Sequence, residues 1–213
     1  TIDFTGTRSE KYATFGSLPI VAPTHIDRDL QRRDFSVNAM AIAIHMNKLG
    51  LLLDPMNGLL DLQRAELRTL HGLSFLQDPT RIFRAARYSS RFKMNLHPGT
   101  QVQMQRAIQT IQIGEMLTLT RIGIELEKIF DEPQPEHCWQ KLNDWNVWTT
   151  WQPSWSSLRL YSVSHLSYTF NTADWQISWW MQLRIALSDE SADIWKDVIS
   201  IRPNGLKCWT QFP

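Results

Sequence analysis

The residues best suited to chemistry in this sequence form two small constellations. Asp34 and Asn38 stand four apart, directly behind Arg32 and Arg33, and Asp78 and Arg81 stand three apart further along. On a helix, residues four apart project from nearly the same side, so Asp34 and Asn38 can reach one ligand together. A carboxylate beside an amide suits the 2′ and 3′ hydroxyls of a ribose. Arg32 and Arg33 offer planar cationic forks of the kind that grip phosphates. Asp78 and Arg81 pair an acceptor with a donor, and cytosine and adenine each present an amino group next to a ring-nitrogen acceptor, a pattern that guanine and uracil reverse. A plainer reading stands beside this one: the two aspartates cap helices, and the arginines are solvated charges.

The elements that must position these groups make an α+β chain. Ile2 and Phe4 alternate with Asp3 and Thr5, the period of a half-buried strand over Thr1 to Thr7, which puts Asp3 on its polar face. Arg8 to Asp29 is polar and broken by Gly16, Pro19 and Pro23, the composition of a mobile connection. A helix is expected from Asp34 to Met46, then a short buried strand over Leu51 to Leu53 and a tight turn in Asp54, Pro55, Met56, Asn57 and Gly58. Asp78 and Pro79 form an N-cap and first-position pair opening a helix that runs to about Phe92. On its wheel Arg81, Arg84, Arg87 and Arg91 share roughly 120° of arc. That cationic side is either a phosphate track or a solvated face. Further helices are expected at Gln101 to Ile111 and Thr120 to Phe130, before the break Asp131, Glu132, Pro133, Gln134, Pro135. All ten tryptophans follow that break, so a separate lobe is expected there. Its rings, Trp179 and Trp180 among them, fill a core or stack on unpaired bases, and core filling is the commoner use of large aromatics.

Composition excludes several classes. The net charge is +1, so contact with nucleic acid has to come from local clusters of arginine. Cys138 and Cys208 have neither zinc spacing nor the look of a disulfide framework, which suits a reducing, cytoplasmic setting. The longest apolar run, Ala39 to Ile44, is about six residues against the roughly 20 that span a bilayer, so no membrane is expected. Phosphate-loop, nucleophile-elbow and HExxH patterns are absent, and none of the six histidines is followed by Asp.

Three stretches, DLQRRDFSVNAMA (29–41), DPMNGLLDL (54–62) and QDPTRIFRAARY (77–88), with TRSEKY and LPIV ahead of them, carry a resemblance. In order and spacing they resemble the class II tRNA nucleotidyltransferases, or CCA-adding enzymes, and the bacterial poly(A) polymerases, over roughly Thr1 to Glu132. The resemblance implies the end of a polymerase-beta-like nucleotidyltransferase head with a short sheet over residues 1–70. A helical neck that selects nucleotides and binds RNA follows over 71–133, and a tryptophan-rich, mainly helical body over 136–213. It implies addition of C and/or A from CTP and ATP to the tRNA 3′ end, with Mg2+. Arg32, Arg33, Asp34 and Asn38 are then expected at sugar and phosphates, Asp78 and Arg81 at the base, and Arg84 and Arg87 further along the nucleotide. Arg91 and Arg121 are expected on the RNA. Asp54, Gly58 and Asp61 are expected to shape a turn and cap the short helix after it. Family members hold their metals with a DxD pair on a strand after a GGxxRD segment, a combination that nothing in this sequence matches, and Asp3 is the one acid expected near such a centre. Two departures stand out: Gln77 replaces the usual Glu that would orient the arginine, and Thr120 replaces the Glu before Arg121, leaving Glu125 to match in part. The alternatives are a catalytically silent nucleotide- and RNA-binding module and a poly(A) polymerase.

Overall fold

A hairpin opens the first of two units in the computed structural model, which describes residues 4–151. β1 (Arg8–Lys11) pairs antiparallel with β2 (Ile20–Pro23), Arg8 opposite Pro23 and Lys11 opposite Ile20. The expected strand over the first seven residues is not seen at residues 4–7, which are irregular, and Asp3 lies outside the described residues. Nor is Arg8 to Asp29 a plain connection. It holds this hairpin and α1 (Ile26–Gln31), because ion pairs substitute for the apolar contacts that its polar composition lacks.

The chain after α1 corrects a second expectation. In place of a helix from Asp34 to Met46 there is an extended Phe35, a single 3-10 turn over Ser36–Asn38, and β3 (Ala41–Ile42). The Ser36 amide donates to the Arg68 carbonyl at 2.9 Å, and Phe35 bridges Thr69. These long-range bonds compete with the helix and win. β3 pairs antiparallel with β4 (Leu52–Leu53), and Gly50 takes φ 83° in the connection, a conformation that costs glycine nothing. Leu51 and Leu52 are exposed, so the expected burial of this strand does not hold.

Asp54 closes the predicted turn by accepting the amides of Gly58 at 2.6 Å and Leu59 at 3.0 Å. α2 (Gly58–Gln63) starts so close to the Ser36 turn that a Cβ on Gly58 would meet the Ser36 carbonyl oxygen at 2.2 Å. Asp61 on α2 is buried between Ser36, whose hydroxyl donates at 2.6 Å, and the Arg68 guanidinium at 3.0 Å. β5 (Glu66–Leu67) pairs parallel with β6 (Asn95–Leu96), and α3 (Ser74–Gln77) packs near α5 (Pro98–Thr110). Leu30, Phe35, Leu67, Phe75 and Met104 are fully buried here, with the rings of Phe35 and Phe75 6.5 Å apart.

α4 (Arg81–Arg91) passes from this unit, which ends at Arg81 and resumes over Phe92–Thr110, into the second, Ile82–Arg91 with the chain from Ile111 onward. The second unit is helical among its described residues: α6 (Leu119–Phe130), α7 (Pro135–Asp144) and α8 (Val147–Trp151). Thr118 caps α6 by accepting the Arg121 amide, and Pro135 sits in the first turn of α7, where its missing N–H has no cost. Trp139 and Trp148 are buried, their ring centroids 4.7 Å apart, with Phe83 5.8 Å from Trp148. These two tryptophans therefore fill a core. Trp179 and Trp180 lie outside the described residues. The architecture of the described residues is α+β.

Candidate nucleotide site

Within the first unit the two constellations share one bonded framework. Asp29, within α1, is its root: Oδ1 accepts from Arg32 Nη2 and Oδ2 from Arg33 Nη2, each at 2.7 Å, and Oδ1 also takes the Arg8 amide at 3.0 Å. Burial raises the Asp29 carboxyl, but the Arg8 amide and the two guanidinium forks outweigh it and hold it down at about 2. Arg32 is further tied to Glu10 at 2.7 Å and to the Arg8 carbonyl at 2.8 Å, whereas Arg33 remains 41 % exposed. Sequence reasoning gave Asp29 no role. The signal was present, since arginines three and four positions after an aspartate are the helical ion-pair spacing.

Asp34 and Asn38 do meet, by another route than an α-helix. The 3-10 turn folds Asn38 Nδ2 back onto Asp34 Oδ1 at 3.0 Å, and the same oxygen takes the Phe35 amide at 2.9 Å. Asp34 is 6 % exposed.

Asp78 caps the approach to α4, accepting the Thr80 amide at 3.1 Å and the Thr80 hydroxyl at 2.6 Å. Arg81 is 5 % exposed, and its guanidinium spans two segments: Nη1 donates to Ser74 Oγ at 2.6 Å and Nη2 to the Arg32 carbonyl at 3.1 Å. The second bond ties the base-reading candidate to the segment that carries Arg33, Asp34 and Asn38. Two more residues that sequence reasoning passed over belong here. Tyr12 donates to Glu10 at 3.0 Å, and burial pushes its phenol up to about 12, with Arg81 drawing it back and Glu10 and Asp78 adding to the rise. His71 is lowered by burial and then by the charge of Arg81, which favours its neutral form.

The remaining arginines lie in the second unit. Arg84 donates to the Tyr88 hydroxyl at 3.0 Å with its guanidinium over that ring. Arg87 Nε and Arg91 Nη2 reach Glu132 Oε1 at 3.0 and 2.6 Å, and Arg91 Nε takes the other oxygen at 2.9 Å. Glu125 is buried and pairs with Lys128 at 2.6 Å. Arg121 stands half-buried in the first turn of α6. Among the described residues no group of three or more His, Cys, Asp or Glu is placed to hold a metal ion, and no helix is long and apolar enough to cross a membrane.

The first unit thus braces the Arg33, Asp34 and Asn38 segment against Arg81 at the start of α4. Residues 1–68 match the family described as the poly A polymerase head domain. The chain is 39 % identical over 154 residues to an A-adding tRNA nucleotidyltransferase of Halalkalibacterium halodurans, covering 69 % of this chain and 35 % of that protein. It is 34 % identical over 151 residues to a CC-adding tRNA nucleotidyltransferase of Deinococcus radiodurans, covering 69 % and 38 %. A solved structure of a CCA-adding enzyme in an apo form superposes with a TM-score of 0.76 at 28 % identity, over 95 % of this chain and 50 % of that one. The chain thus spans little more than a third of the length of these curated relatives. These matches support a place for the chain in the class II CCA-adding family.

Proposed function

We propose that the protein carrying this chain is a template-independent RNA nucleotidyltransferase that adds C and/or A, from CTP and ATP, to the 3′ end of tRNA. One observation carries the reading: the buried Arg81 guanidinium bonds the Arg32 carbonyl at the end of α1, two residues before the Asp34 that Asn38 folds back onto. In the proposed arrangement Asp34 and Asn38 hold the ribose hydroxyls. Arg33 meets the phosphates, with Arg32 adding its charge from within the Asp29 and Glu10 clamp. Asp78 and Arg81 accept from and donate to the base edge, which favours C and A over G and U. The names of the A-adding and CC-adding relatives support this assignment.

The rest of the proposal is coarser. Residues 1–70 are read as the end of the head, 71–133 as the neck and 136–213 as the body. In the second unit, taken by itself, Arg84, Arg87, Arg91 and Arg121 are read as the positive field for phosphates and RNA. Mg2+ is the cation that nucleotidyl transfer would use, activating the attacking hydroxyl and holding the pyrophosphate. The described residues do not form its cage, so its carboxylates are sought elsewhere, Asp3 first among them. The setting is read as cytoplasmic. Incubating the whole protein with tRNA lacking its 3′ CCA and with labelled nucleotides tests the assignment. Short incorporation of C or A is expected, long adenosine runs on varied RNAs would indicate a poly(A) polymerase, and no incorporation of either would end the claim. Arg81→Ala is expected to blunt the preference for ATP and CTP over GTP and UTP while the fold persists.

A further inference from the structure

Gln77 stands where the family resemblance implies a glutamate that would orient the base-reading arginine, and it does not touch Arg81 here. Its side chain makes no hydrogen bond among the described residues, and the Arg81 guanidinium is held by other groups. We propose that Ser74 is the positioning residue for nucleotide selection: its buried hydroxyl, together with the Arg32 carbonyl, fixes the plane of the Arg81 guanidinium and thereby sets which of its N–H groups are offered to the base. The inference rests on the assignment of Arg81 to the base edge.

Three features carry it. Ser74 is 1 % exposed, so its Oγ has no water to exchange with, and it lies 2.6 Å from Arg81 Nη1, a short charge-assisted bond. Guanidinium is planar with five N–H groups; two contacts on different terminal nitrogens, Ser74 Oγ on Nη1 and the Arg32 carbonyl on Nη2, fix that plane. They leave Nε–H and one proton on each terminal nitrogen. Finally, the Ser74 carbonyl accepts the Asp78 amide at 3.1 Å. One residue at the start of α3 therefore touches both members of the proposed reading pair, through its hydroxyl to Arg81 and through its main chain to Asp78. A serine hydroxyl is neutral and short where a glutamate is charged and long. It orients the arginine without cancelling its charge, which leaves the donor strength toward the base intact.

The test is a double-mutant cycle in the whole protein, read as the ratio of kcat/KM for ATP or CTP to that for GTP or UTP on tRNA lacking its 3′ CCA. Ser74→Ala is expected to lower that ratio about tenfold, the scale of one hydrogen bond to a charged group, and to have no further effect when Arg81 is already alanine. Ser74→Thr, which keeps the hydroxyl, is expected to restore most of the ratio. Thermal melting of each variant separates loss of fold from loss of selection, and Ser74→Cys replaces Ser74→Thr if the added methyl group prevents folding. If Arg81→Ala lowers the ratio and Ser74→Ala does not, or if Ser74→Ala acts equally with and without Arg81, the positioning role is overturned while the base-reading role stands. If Arg81→Ala itself leaves the ratio unchanged, both fall.

Discussion

Asp29 in the first unit holds Arg32 and Arg33, three and four residues onward at the end of α1, whereas Glu132 in the second holds Arg87 and Arg91, 45 and 41 residues back on α4. Both acids are buried, and both are gripped by two guanidinium groups. The local clamp closes almost no loop, so it contributes little to cooperativity. What it does is aim the backbone that runs on into Asp34 and Asn38. The distant clamp closes a long loop, ties the turn after α6 to α4, and leaves Arg87 turned inward, only 13 % exposed, while Arg91 keeps 45 % of its side chain exposed. Similar ion pairs thus serve orientation in one region and cohesion in the other.

The sharpest way to break that contrast is Glu132→Ala. It strands Arg87, whose nearest remaining carboxylate oxygen, on Glu125, is 3.8 Å away. Removing one partner of a buried pair should cost about 4 kcal/mol, read as a fall in the denaturation midpoint of the second unit's tryptophan signal. A loss under about 1 kcal/mol would put Glu132 among the ordinary surface pairs.

Gly58→Ala probes the first region through its other brace. The added methyl group would sit 2.2 Å from the Ser36 carbonyl oxygen and 2.9 Å from Met40, so α2 has to move off the turn. A loss of about 3 kcal/mol is expected. Wild-type stability in this variant would mean that the turn does not depend on α2.

Asp29→Asn should cost less than Glu132→Ala, about 2 kcal/mol, because Arg32 keeps Glu10 and the Arg8 carbonyl, and Arg33 can turn to water. If the local clamp proved the costlier to remove, the division between orientation and cohesion would be reversed. Asp29 also gives a pH signature. Its folded carboxyl, at about 2, lies below the unfolded value near 4, so its stabilisation is complete above about pH 4 and is lost as pH falls through about 2. Acid unfolding of the wild type should steepen in that window, and Asp29→Asn should flatten it.

What could be read from the sequence follows the same divide. The Asp54 to Gly58 turn and α6 were legible because neighbouring residues decide them, and Asp78 does take the Thr80 amide, although Pro79 lies in a turn and α4 starts only at Arg81 rather than at the expected Pro79. The path from Asp34 to Met46 was not legible. Its apolar pattern allows a helix, yet the Ser36 amide goes to Arg68 and Phe35 pairs with Thr69, partners more than thirty positions away that no local period announces. The site residues were legible as types and the framework joining them was not, since Ser74, Glu10 and Tyr12 matter through contacts that only the fold creates. The pairing of Arg87 and Arg91 with Glu132 was hidden for that reason too. A helical wheel shows their shared side but not the glutamate waiting on it.

The smallest stability effect is expected from the most exposed member of the local clamp. In Arg33→Ala, Asp29 Oδ2 loses the guanidinium that it accepts from, but Oδ1 keeps both bonds from Arg32 and the Arg8 amide, so the charge stays paired. Arg33 is 41 % exposed, and a partly solvated pair of this kind is worth about 0.5 kcal/mol, close to the limit of a melting experiment. Its proposed contact with the triphosphate predicts a much larger effect elsewhere: KM for CTP and ATP should rise about tenfold, the loss of one charge-assisted bond, with base preference unchanged. Arg32→Ala should do the opposite, costing stability through Asp29 and Glu10 and disturbing the carbonyl that holds Arg81 only through the backbone. A melting loss in Arg33→Ala as large as that of Asp29→Asn, with KM unmoved, would assign Arg33 to the clamp and leave the phosphates to another cation.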